Sequence, residues 1–293
     1  MLPSELIKQV RKIEIRTRRI VDEITGGAYH SVFKGRGIEF DEVREYTIED
    51  DVRDIDWNVT ARTGIPHIKK YVEERELTVM LLVDVSASGA FGSGDKSKRQ
   101  QAVETAALLA FSAIRNNDKV GLILFSDRTE LYLPPRSGRR HSLRLIRELM
   151  AFEPKNKGTD INAVLKETIQ VLNKRSVVFL ISDMIDEHDY EKSLKIANRR
   201  HDVIAVRILD PHELAWPAGV NIVVEDAESG ENVVFSGRNR RLLSGFADAA
   251  TALHARSKKL CDRAKVDMID IRCNEDLVRP LITFFRGRER KRT

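Results

Sequence analysis

Asp84-Val85-Ser86-Ala87-Ser88 places one carboxylate and two hydroxyls at alternate positions, just where the apolar run Thr78–Val83 ends. Two further oxygen donors stand at comparable places. Thr159 lies in the loop Lys157-Gly158-Thr159-Asp160 ahead of a helix, and Asp183 directly follows the apolar strand Val177–Ser182. Ligands of doubly wound sheets sit at the carboxyl ends of the strands, so these five small oxygen donors can converge. Mg²⁺ takes a near-octahedral set of oxygens and keeps several waters while using one or two carboxylates, which this set suits; Mn²⁺ accepts the same donors. The set holds no Cys or His, which argues against zinc and copper. The Asp-x-Ser-x-Ser spacing alone says little, since it arises by chance in very roughly one chain in fifteen of this length. Ser86 and Ser88 would equally serve to turn the chain or cap the following helix. The ordered Thr159 and Asp183 are what raise the motif above that reading.

The elements that must hold these residues show as strand and helix alternation. Thr78–Val83 lacks polar alternation, as expected of a strand buried on both faces of a parallel sheet. A helix over 96–116 follows, then a strand over 120–126 and a hairpin partner at 131–133. Helices near 140–151 and 161–174 lead to a strand at 177–182, a helix at 190–200 and a strand at 203–209. A hairpin of 220–224 with 233–235, a helix at about 241–264, a strand at 268–271 and a closing helix complete the pattern. This predicts an α/β fold, a doubly wound and mostly parallel sheet. Its 293 residues are about twice a usual domain, and we divide them into 1–76, a helix and strand-containing extension, 77–286, the α/β domain, and 287–293, a basic tail. In the extension, the first 24 residues read as a basic helix, and a strand near 38–46 pairs with one near 65–73.

Composition excludes several classes. Apolar residues are 42% and charged residues 32% of the chain, which rules out wholesale disorder. The longest stretch free of charged residues and histidine runs from Leu214 to Val224, too short to cross a membrane. The acidic start Met1-Leu2-Pro3-Ser4-Glu5 is unlike a secretory signal, and the two cysteines, Cys261 and Cys273, are too few for a disulfide framework. A cytoplasmic location is therefore expected. The net charge of +5 owes much to the segment Arg286–Arg292, read as a solvated tail, and no aromatic basic groove suggests nucleic-acid binding. From Glu39 to Trp57 nine acids face only Arg44 and Arg53, a local balance of −7. The interleaved arginines point to structural ion pairs and a docking surface rather than catalytic carboxylates, and Trp57 reads as a core anchor.

The five donors in this order resemble the metal-ion-dependent adhesion site of the von Willebrand factor A domain. The resemblance covers roughly Leu77 to Phe285. It implies one Mg²⁺ touched directly by Ser86, Ser88 and Thr159, with Asp84 and Asp183 acting mainly through water. It also implies that the first and fourth strands of the sheet lie side by side. Upstream, Gly35-Arg36-Gly37-Ile38-Glu39-Phe40-Asp41-Glu42-Val43-Arg44-Glu45-Tyr46, Asp50-Asp51-Val52-Arg53-Asp54-Ile55-Asp56-Trp57 and Thr60-Ala61-Arg62 resemble the signature of the domain-of-unknown-function family numbered fifty-eight. Members of that family are commonly encoded beside MoxR-type AAA+ ATPases. The resemblance implies a non-catalytic, Mg²⁺-dependent adaptor that binds an acidic side chain of the ATPase or of its client in chaperone-like or assembly work. Gly89 and Phe91, from a loop read as longer and more flexible than usual, and Met184 and Glu187 are expected to form the partner-binding rim. Other chemistry is poorly served. Gly89–Gly94 followed by Lys96-Ser97 looks like a phosphate loop, but Asp95 intervenes before the lysine, so nucleotide hydrolysis is not expected. The seven histidines show no metal spacing, and no residue sits in a nucleophile elbow.

Overall fold

The computed structural model describes residues 38–292 except 49, 74–75, 215, 217–218 and 226–231, so the helix expected over the first 24 residues lies outside the described residues. β1 (Ile38–Glu45) and β2 (His67–Glu73) pair antiparallel, as the extension's pattern suggested. Between them α1 (Trp57–Thr63) begins at Asp56, whose buried carboxylate accepts from the backbone N–H of Asn58 and Val59. It ends at Gly64, whose φ of +78° a residue without a Cβ adopts most cheaply. Arg44 grips Asp50 with both terminal guanidinium nitrogens, at 2.6 and 2.9 Å, and holds its carboxyl down at about 2. The acidic belt is thus partly consumed by its own fold. Trp57 is not the core anchor it resembled, because the first position of a solvent-facing helix leaves its side chain 69% exposed.

The larger unit follows the expected alternation. β3 (Thr78–Asp84), α2 (Lys98–Arg115), β4 (Lys119–Phe125), β5 (Thr129–Arg136), α3 (Arg139–Ala151) and α4 (Ile161–Val171) form its first half. The second half holds β6 (Val177–Ser182), α5 (Glu191–Arg200), β7 (Asp202–Leu209), α6 (Pro211–Leu214), β8 (Asn221–Glu225), β9 (Asn232–Ser236), α7 (Arg240–Ala264), β10 (Asp267–Arg272) and α8 (Val278–Arg292). Six strands lie in the order β10-β7-β6-β3-β4-β5, with only β5 antiparallel to its neighbour. β8 and β9 pair apart from this sheet.

Both faces of the sheet are covered, which is why its central strands can be apolar throughout. On one face Val79, Leu81 and Val83 of β3 pack with residues of α2, α3 and α8; on the other Met80 and Leu82 pack with α4, α5 and α7. The chain runs from β3 outward through β4 to β5, then returns to β6 on the opposite side of β3. Connections leave β3 and β6 in opposite directions, so their carboxyl ends flank the switch point at which such sheets open a crevice. Asp84 and Asp183 stand at those two ends.

The closing segment departs from its reading as a solvated tail. α8 continues to Arg292, and Arg288 pairs with Asp202 at 2.9 Å and Asp267 at 2.6 Å while lying over the Phe284 ring. A side chain that bridges the starts of two strands costs less held than free, so the helix runs on. No described helix is long and apolar enough to cross a membrane.

Candidate metal centre

Four of the five donors meet. Asp84 is buried, with Oδ1 accepting from the Ser86 N–H at 2.9 Å and Oδ2 from the Ser182 hydroxyl at 2.8 Å. The hydroxyls of Ser86 and Ser88 lie 3.1 Å apart, and Ser88 Oγ donates to Asp183 Oδ2 at 3.0 Å. The fifth donor is a neighbour. The Lys157 carbonyl accepts from the Ala87 N–H at 3.0 Å, which lays the Thr159 loop against the serine turn. The Thr159 hydroxyl makes no hydrogen bond to the other four among the described residues.

The turn after β6 is held hard. Met184 adopts φ +63°, a region costly for a residue with a side chain, and its N–H donates to Ser182 Oγ while its carbonyl accepts from Tyr190 Oη. Asp183 Oδ1 accepts from the Ile185 N–H. Met184 is consequently buried and cannot belong to a partner-binding rim, which corrects that expectation: its side chain turns into the core beneath α5. Ile185, Glu187, His188 and Asp189 are exposed in that loop, while Gly89 and Phe91 are half-buried.

The Gly89–Gly94 loop is clamped rather than loose. Asp210, fully buried at the end of β7, accepts from both the N–H and the hydroxyl of Ser93, at 2.9 and 2.5 Å. The Lys96 N–H donates to Asn274, and Lys96 Nζ pairs with Glu104. A Cβ on Gly92 would come within 2.6 Å of Ser97 Cα. Gly92→Ala should therefore displace the loop and cost about 1–3 kcal/mol, measured by urea unfolding; an unchanged midpoint would show that the loop yields freely.

Lys98, Glu213 and Ser182 are the participants that motif reading missed. The Lys98 ammonium is buried between Asp183 Oδ2 at 2.9 Å and Glu213 Oε1 at 2.5 Å. Burial alone would lower its pKa, but the charges of Asp183 and Glu213 and their hydrogen bonds raise it instead. Burial raises Glu213 as well. Burial, together with the charge of Asp183, pushes Asp84 up to about 6. The group therefore sets three carboxylates against one ammonium, and no cation touches Asp84 among the described residues. The signal at that strand end was Asp210, which directly follows β7 as Asp183 follows β6, whereas Glu213 lies within α6 and nothing local marks it.

A divalent cation fits this donor set. Its oxygens are hard, its deficit of positive charge is concentrated at Asp84, and a small cleft lined by Asp84, Ser88, Lys98 and Asp183 opens beside it. Next to Thr159, atoms of Asp160, Asp186 and His188 lie within 4.8 Å of one another. The Asp160 and Asp186 carboxylates there accept from N–H groups of the first turn of α4, and Asp186 also holds His188 Nδ1. Both thiols are buried and pushed up, Cys261 to about 12 and Cys273 to about 11, hence inert.

The sheet resembles solved structures: BatB from Bacteroides thetaiotaomicron superposes with a TM-score of 0.50 at 18% identity, covering 73% of this chain and 99% of that one. An aerotolerance-related membrane protein from Bacteroides fragilis gives 0.51 at 17% identity with the same coverage. At such identities the likeness concerns the fold alone. An uncharacterized protein of Mycobacterium tuberculosis is 30% identical over 288 residues, 98% of this chain and 90% of that protein. The family described as "Protein of unknown function DUF58" matches residues 42–256. That match spans more than two thirds of the chain, and the chain belongs to that family.

Proposed function

We propose that the protein is a non-catalytic adaptor whose Asp84, Ser86, Ser88 and Asp183, with Thr159 beside them, hold a Mg²⁺ or Mn²⁺ ion and so grip an acidic side chain of a protein partner. The observation that carries this reading is the buried Asp84 carboxylate, with no cationic side chain against it among the described residues, placed with Asp183 and two serine hydroxyls at the switch point of the sheet. Bound there, the ion would offer an open coordination position to a carboxylate oxygen from another protein. The chain's own residues do the rest. Ser182 and the Ser86 N–H orient Asp84, Lys98 and Ser88 orient Asp183, and the clamped Ser93 loop shapes one side of the approach.

The partner we assign is a MoxR-type AAA+ ATPase or its client, engaged in chaperone-like or assembly work. One observation favours a second reading, a metal-independent scaffold: Lys98 already occupies Asp183 Oδ2. Calorimetry of the purified protein with a MoxR-type ATPase from the same organism, in Mg²⁺ and in chelator, separates the two. Under the adaptor reading binding collapses in chelator and falls at least tenfold with Thr159→Ala. Unchanged affinity after chelation would leave the scaffold.

A further inference from the structure

Large apolar side chains stand exposed on two faces of opposite charge. The first lies between β1 and β2, where Ile48, Val52, Trp57 and Ile65 are all at least half exposed. The chain there is braced by its own hydrogen bonds, from Tyr46 N–H to the Pro66 carbonyl and from Asp56 N–H to the His67 carbonyl, so these side chains are presented on a folded base. Glu45, Asp51 and Asp54 face solvent around them, and residues 38–76 carry twelve acids against six bases.

The second face combines the β8–β9 hairpin with the outer side of α7. Val223 and Val234 are cross-strand partners, both more than 60% exposed, and Leu242 and Leu253 stand exposed on α7. The Asn239 N–H donates to the Ser236 carbonyl, which carries the hairpin directly into the helix. α7 holds six lysines and arginines against two aspartates, and Arg240, Arg241 and Arg256 are exposed among its apolar residues.

One chain thus carries an acidic apolar face with an exposed indole on it and a basic apolar face to match. Tryptophan is the residue most enriched at the energetic centres of interfaces, and charges of opposite sign steer and register the approach. We propose that the protein self-associates, the Trp57 face of one copy seating on the α7 face of a second and the reverse contact forming across the two-fold axis. This assigns the acidic belt to a second copy of the chain, apart from the metal centre.

Sedimentation of the full chain in low salt should give a dimer. Trp57→Ser should weaken it at least tenfold without lowering thermal stability, because the side chain lies outside the core. Asp51→Lys with Asp54→Lys, or Arg240→Glu with Arg241→Glu, should each weaken it comparably, and the chain carrying all four reversals should regain it. A monomer at every concentration, open-ended polymers in place of a dimer, or four reversals that fail to restore association would overturn the proposal.

Discussion

Lys98→Met is expected to destabilise the protein by about 3–5 kcal/mol in chelator, because removing one partner of a buried ion pair leaves uncompensated charge behind. The substitution keeps the apolar stem but strands Asp183 and Glu213, both buried or nearly so, close to an Asp84 already disfavoured as an anion. For a domain of this size that is a loss of roughly 10 °C in melting temperature. Two comparisons identify charge as the cause. Adding Glu213→Gln should recover part of the loss, since one orphaned carboxylate disappears. Mg²⁺ should then stabilise Lys98→Met more than the parent, because the metal inherits the whole of Asp183. Thermal melts decide it, and a Lys98→Met protein as stable as its parent in chelator would show that water, not the ammonium, satisfies Asp183.

Metal and pH should act on Asp84 as alternatives. Its carboxyl is raised to about 6 in the folded protein against 3.8 for the ordinary group, so between those values the native state binds more protons than the unfolded one. Stability contributed by this group therefore falls as pH rises through that window. The metal-free protein should lose about 2 kcal/mol from this residue between pH 4 and pH 7. Glu213, also raised, acts in the same direction, whereas the half-buried Asp50, lowered to about 2, acts oppositely and only at more acid pH. Asp84→Asn should flatten the slope. At pH 7.5 an ion at about a hundred times its dissociation constant should return about 2.7 kcal/mol, several degrees in a thermal melt. Asp84→Ala with Ser86→Ala should abolish that gain. Equal metal-induced shifts in this variant and in the parent would remove the metal centre from these residues.

The places where sequence and structure agree share a cause. β3 and β6 are runs of apolar residues, and such runs demand burial on both faces whatever surrounds them. A carboxylate at the end of such a run must emerge at the carboxyl edge of the sheet, so Asp84 and Asp183 could be placed there before any contact was known. Ser86 and Ser88 followed from their nearness in the chain, and the hairpin of β1 with β2 from the breaks at either end. These are local consequences of periodicity and of burial.

The side chains that decide how the site behaves obey no such local rule. Lys98 reaches Asp183 across 85 positions, and Ser93 reaches Asp210 across 117. Both contacts exist because β6 returns beside β3 and β7 beside β6, an order of strands that no single strand encodes. The same cause corrected Met184, buried by the turn that serves Asp183, and Arg288, drawn out of the basic tail by aspartates at the starts of β7 and β10. Trp57 erred the other way, since an apolar residue is buried only where the fold supplies a neighbour, and α1 stands at the surface. The sequence by itself therefore determined which residues lie at the edge of the sheet, because hydrophobic periodicity is read one element at a time. Only the tertiary structure decided the charge balance around Asp84, because Coulomb energies depend on distances that strand order alone sets.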